Sequence, residues 1–276
     1  MTAFFGVSIL VLFAVFSHTV AQLFLTVILS GIGVYEVLNC VGKEKNLYLL
    51  VIAETVSAST QILARVIADD NTYLAAFMMI TIVFFVLVLS GAVFTAGKDA
   101  AKISVGEAML IAVMTVYVSF GFSSLTLLRD MEYGIILFIL WFFLPWICDG
   151  VAYFVGRACG KHKLIPAVSP KKTVEGAIGG VVGTLVLMIV FALVMQFGFG
   201  YKPNYPILLL VTLIGCPISM CGDLIASLIK REYGIKDYGN LLPGHGGVMD
   251  RFDSCISTGP FIYIVCVLFS SNALFY

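Results

Sequence analysis

Residues 207–226, ILLLVTLIGCPISMCGDLIA, run directly into residues 227–253, SLIKREYGIKDYGNLLPGHGGVMDRFD, and the chain returns to an apolar run over 256–275. The first stretch has the length, about 20 residues, that one helix needs to cross the hydrocarbon core of a bilayer. The second places Lys230, Arg231, Glu232, Lys236, Asp237, His245, Asp250, Arg251 and Asp253 between two such spans. Charge so concentrated at a membrane face points to an ionic ligand.

The same alternation extends outward along the chain. Hydrophobic residues make up 61% and charged residues 12%, and the mean hydropathy is +1.06. These values predict an all-α, polytopic integral membrane helix bundle. A window of about 19 residues predicts nine spans, at 3–16, 20–38, 47–67, 73–94, 104–123, 134–155, 174–197, 207–226 and 256–275. The 3–38 run is too long for one span and has Ser17-His18-Thr19 as its only polar break, so a hairpin or a tilted first element fits it. It has no basic leading segment and no clear cleavage site, and so reads as a retained anchor. Five spans then belong to an N-terminal region, 1–123, and four to a C-terminal region, 124–276, with large loops at 156–173 and 227–254.

Lys43, Lys45, Lys98, Lys102, Arg157, Lys161, Lys163, Lys171, Lys172, Lys230, Arg231, Lys236 and Arg251 fall on one set of alternate loops, and only Arg65, Arg129 and Lys202 on the other. Positive loops stay cytoplasmic during insertion. The chain is therefore expected to be a multi-pass protein of the cell membrane with its active site at the cytoplasmic face. The 16 basic and 16 acidic residues cancel, so nothing in the net charge suggests nucleic acid. The seven cysteines show neither CxxC nor Cys/His ligand spacing and read as small packing residues.

If the helix of the eighth span continues past the membrane surface, Asp223, Ser227 and Arg231 recur every four residues and Lys230 follows Asp223 by seven, all on one face. Asp250 and Asp253, three apart at the entry to the last span, share a face, and Asp149 and Tyr153 repeat the four-residue step in the sixth. Clustered carboxylates suit Mg²⁺, whose shell is usually completed by substrate phosphates; lysine and arginine suit the phosphates themselves. Gly246 and Gly247, after Pro243-Gly244-His245, free the backbone to approach a ligand. Gly176/Gly180 and Gly179/Gly183 read instead as small-xxx-small helix packing. Solvated loop charge accounts for Glu44, Asp69, Asp70, Asp99, Asp130 and Glu132, while Glu54 and Glu107, in or beside apolar spans, receive no role.

Three segments carry a resemblance. Ser227-Leu-Ile-Lys230-Arg231, Lys236-Asp237-x-Gly239, Leu242-Pro243-x-His245-Gly246-Gly247-Val248 and Asp250-Arg251-Phe252-Asp253 make up the longest of them. Asp149-Gly-Val-Ala-Tyr153-x2-Gly156-Arg157-x2-Gly160-Lys161 and Ser169-Pro170-Lys171-Lys172-Thr173-x-Glu175-Gly176 are the others. Together, over about 149–260, they resemble the bacterial CDP-diacylglycerol synthases, or phosphatidate cytidylyltransferases. Val174 departs from a frequent large side chain, and Ala226 stands where a glutamate is common.

The resemblance implies a nucleotidyltransferase of phospholipid biosynthesis, moving CMP from CTP to phosphatidate with Mg²⁺, and leaves room for a second, monovalent cation. It implies metal binding by Asp223, Asp250 and Asp253, with Asp149 and Asp237 assisting. Lys230, Arg231, Lys236 and Arg251 would meet CTP or transition-state phosphates, and Arg157, Lys171 and Lys172 the phosphatidate or triphosphate. Ser227, His245 and the Gly246-Gly247 backbone would orient phosphates. A homodimer is compatible with the small-residue motifs. Two alternatives stay open: a cation- or proton-coupled transporter using Asp149 and Asp223 as a relay, and a related transferase with another lipid acceptor.

Overall fold

The computed structural model describes residues 19–97, 103–241, 246–269, 274 and 275. Among them eight helices are long and apolar enough to cross a membrane. They are α1 (Val20–Cys40), α2 (Leu47–Val66), α3 (Asp70–Thr95), α4 (Val105–Asp130), α5 (Gly134–Cys159), α6 (Val174–Phe199), α7 (Tyr205–Glu232) and α8 (Met249–Phe269). Each matches an expected span; the expected 3–16 span lies outside the described residues. The protein is a multi-pass membrane protein. Its outward faces are correspondingly apolar, as on α3, where Met79, Ile82 and Val86 are each more than 60% exposed, a surface suited to lipid rather than water.

Helices dominate because hydrocarbon offers no partner for backbone N–H and C=O groups. Several of their N-terminal ends are closed by polar side chains. Asn46 accepts from Leu49 N at 3.2 Å and Asp69 from Thr72 N at 2.8 Å. Ser104 and Glu107 cap α4 reciprocally, Glu107 N donating to Ser104 Oγ and Ser104 N to Glu107 Oε2. Glu107 also pairs with Lys43 at 3.3 Å, which accounts for an acid at the edge of an apolar span.

Two findings alter the expected loops. Part of the 156–173 segment is an antiparallel hairpin, β1 (Lys163–Ile165) and β2 (Ser169–Thr173), with Lys163 opposite Thr173 and Ile165 opposite Ser169. In addition, α8 begins at Met249 rather than near 256, so Asp250, Arg251 and Asp253 lie within its first turns. Polar residues there lower the windowed hydropathy without breaking the helix.

The chain separates into two compact units: the described residues up to Leu127 together with Tyr233–Arg251, and Leu128–Glu232 together with Phe252 onward. Inside the first, a polar seam joins three helices. Ser30 and Ser57 hydroxyls lie 2.7 Å apart, and Gln61 Nε2 donates to the Ser119 carbonyl at 2.8 Å. Inside the second, glycines let α5 and α6 pack closely. A Cβ on Gly179 or Gly183 would strike Val155 or Val151, which accounts for the small-residue spacing as packing.

Candidate active site

The second unit gathers three of the four expected metal-ligating carboxylates. Asp149 comes from α5, Asp223 from α7 and Asp253 from α8. Asp253 is 9% exposed and lies within the fields of Asp223, Asp149 and Lys230. Asp149 lies near the Ser254 side chain and within the fields of Lys172 and Asp223. Gly222 explains the approach of α7 to α8: a Cβ there would meet Ser257 and the Asp253 carbonyl.

Cations face these acids from two elements. Lys172 of β2 places Nζ 2.5 Å from Asp223 Oδ2. Lys230, seven residues after Asp223 on α7, is only 9% exposed. Ser227 Oγ donates to Asp223 Oδ1 at 3.3 Å, so the face expected for a continued α7 forms as the four-residue steps require. Arg231 Nε reaches the Val168 carbonyl at 3.5 Å and so ties α7 to the hairpin turn.

The hairpin itself is held by Glu175. Its carboxylate accepts from Lys161 N at 3.0 Å and His162 N at 3.2 Å, and pairs with His162 Nδ1 at 2.5 Å. Thr173 caps α6 by accepting from Gly176 N at 3.1 Å. A Cβ on Gly156 or Gly176 would crowd that hydroxyl, so the glycines of these segments serve close packing. Lys171 and Arg157 are exposed.

Asp250, Arg251, Lys236, Asp237, Gly246 and Gly247 belong to the first unit. Asp250 Oδ2 accepts from Tyr238 N at 2.8 Å and from Gly247 N at 3.0 Å, so it braces its own loop. Gly246 has φ +81°, a left-handed backbone that glycine adopts without penalty. Lys236, Asp237 and Arg251 are exposed. His245 lies outside the described residues.

Three carboxyl groups from three helices face two ammonium groups, and such hard oxygen donors have the chemistry Mg²⁺ requires. Among the described residues no group of three or more His, Cys, Asp and Glu side chains is already arranged around one point. Lys172 is instead the cation against Asp223.

Sequence reasoning missed Glu36, Ser254 and the anchoring role of Glu175. Glu36 on α1 is 4% exposed and accepts from Val248 N at 3.0 Å and Met249 N at 2.9 Å. Its one signal was an acid near the end of an otherwise apolar span. Glu54, also left unassigned, sits against Gly31, where a Cβ would meet Glu54 Oε2.

The sequence pattern of the family described as "Cytidylyltransferase family" matches residues 1–269, nearly the whole chain. The chain belongs to the cytidylyltransferase family. Among curated members of similar sequence, this cytidylyltransferase-family chain is 42% identical over 165 residues to the phosphatidate cytidylyltransferase of Bacillus subtilis (strain 168), covering 59% of this chain and 60% of that protein. It is 40% identical over 166 residues to the phosphatidate cytidylyltransferase of Staphylococcus haemolyticus (strain JCSC1435), covering 60% of this chain and 62% of that one. The protein of the same name from Staphylococcus aureus (strain COL) is 39% identical over 166 residues. The alignments thus span about three fifths of these relatives.

Proposed function

We propose that this protein is a phosphatidate cytidylyltransferase, transferring CMP from CTP to phosphatidate to give CDP-diacylglycerol and pyrophosphate. The observation that carries the reading is the grouping of Asp149 from α5, Asp223 and Lys230 from α7, Asp253 from α8 and Lys172 from β2. The names of the Bacillus and Staphylococcus relatives support phosphatidate as acceptor.

The reaction asks for positioning more than for a nucleophilic side chain. A phosphate oxygen of phosphatidate attacks the α-phosphorus of CTP, the new P–O bond forms, and the α–β bridging bond breaks to release pyrophosphate. The attacking oxygen is already anionic, so no strong base is required, and the barrier lies in bringing two polyanions together. Asp223, Asp253 and Asp149, with Asp250 and Asp237 assigned through the family signature, would hold Mg²⁺. Bound there, the metal would neutralise phosphate charge and stabilise the departing pyrophosphate.

Lys230, Arg231, Lys236 and Arg251 then take CTP phosphates, while Lys172, Lys171 and Arg157 take the lipid phosphate or the triphosphate. Ser227 orients the Asp223 carboxylate, and Ser254 that of Asp149. The basic loops face the cytoplasm, where CTP is dissolved, and the acyl chains of phosphatidate stay in the inner leaflet. The test is conversion of labelled CTP and phosphatidate by the purified protein in detergent. Mg²⁺-dependent CDP-diacylglycerol is expected; folded protein that binds CTP but makes no such product would redirect the search to another acceptor.

A further inference from the structure

Glu36 lies outside every segment that carries the resemblance, yet its carboxylate does specific work in the first unit. Oε1 accepts from Val248 N and Oε2 from Met249 N, 212 and 213 residues further along the chain. Those amides open α8, where the first N–H groups have no acceptor within the helix. A carboxylate there satisfies them and complements the positive end of the helix dipole.

The loop leading into α8 is shaped around this side chain. A Cβ on Gly239 or on Gly247 would run into the Glu36 carboxylate, so both positions admit it only as glycines. From the other side, Asp250 takes Tyr238 N and Gly247 N. Two carboxylates therefore hold four backbone amides, at Tyr238, Gly247, Val248 and Met249. The held residues are interleaved with Lys236 and Asp237 on one side and Asp250 and Arg251 on the other.

We infer that Glu36 is a positioning residue for the transferase reaction: it fixes the first turn of α8 and thereby sets Asp250 and Arg251, without touching either substrate. The inference rests on the reaction proposed above. Glu36→Gln is the informative change, because the amide keeps one acceptor oxygen but turns an NH₂ toward the second backbone N–H.

Full-length Glu36→Gln in detergent should show kcat reduced about 100-fold, the cost of a displacement near 1 Å at a reacting centre, with KM for phosphatidate unchanged. Hydrogen exchange over 246–251 should accelerate while α5 and α6 keep their protection. Glu36→Asp, which retains both acceptor oxygens, should recover part of the rate; if Glu36→Gln does not fold, Glu36→Asp carries the same readouts against wild type. Wild-type kcat per folded molecule, or faster exchange throughout the protein instead of at 246–251, overturns the inference. An inactive wild type overturns the reaction and this role with it, and is recognised because the local exchange difference then persists with no rate to lose.

Discussion

The two units use their buried and half-buried acids differently. In the first, both Glu36 oxygens and Asp250 Oδ2 accept from backbone amides. In the second, Asp149, Asp223 and Asp253 face Lys172, Lys230 and the Ser227 hydroxyl, and Asp253 Oδ1 accepts the amide of the next residue, Ser254 N, at 2.8 Å. A carboxylate that holds two loop amides is fixed by the fold, whereas one paired with a lysine side chain, as Asp223 is, can exchange that partner for a ligand. The difference sets acids that build a loop, Asp250 doing so besides its proposed metal role, against acids of the second unit that are proposed to meet phosphate and metal.

Asp223→Asn breaks the contrast most severely. It removes a carboxylate while leaving Lys172 beside it, and turnover should fall ~10²–10³-fold, the scale of losing one preorganised electrostatic group. Steady-state assay with a matched thermal melt checks this, and an unchanged rate would move Asp223 to the architectural class. Lys172→Gln should cost less, roughly tenfold in apparent substrate affinity, read from KM for CTP and for phosphatidate separately. Its effect on the melting midpoint should be small, since the pair is partly exposed.

Gly247→Ala acts on the other class. Its Cβ would press on the Glu36 carboxylate, and overpacking of this kind costs about 1–3 kcal/mol, visible as a lower thermal midpoint. The smallest effect should come from Asp69, the cap of α3. Hydrogen bonds from the Thr72 side chain and amide hold its carboxyl below the ordinary value. A lowered folded-state value means that the stabilisation is present above the ordinary carboxylate range and is lost as pH falls through the lowered one. Asp69→Ala should therefore flatten the acid side of the stability profile slightly and leave neutral-pH activity unchanged.

How much of this was legible follows from the range of each interaction. Eight spans could be read because bilayer thickness imposes an apolar length on every crossing helix. The faces of α7 could be read because a four-residue step is a local property, and Asp223, Ser227 and Arg231 carry it. The hairpin was hidden because its strands are short and its lysines look like ordinary cytoplasmic loop charge. The start of α8 was hidden because Asp250, Arg251 and Asp253 are polar residues inside a helix. Glu36 was hidden for a deeper reason: its partners lie more than 200 residues away, and no local pattern encodes them.

The most direct test of the central claim is the conversion of CTP and phosphatidate by Asp253→Asn over a Mg²⁺ titration, with wild type alongside. The account predicts a folded variant whose rate stays near background at every Mg²⁺ concentration. A wild-type rate at ordinary Mg²⁺ would contradict it, because the most buried acid of the cluster would then have no part in the chemistry.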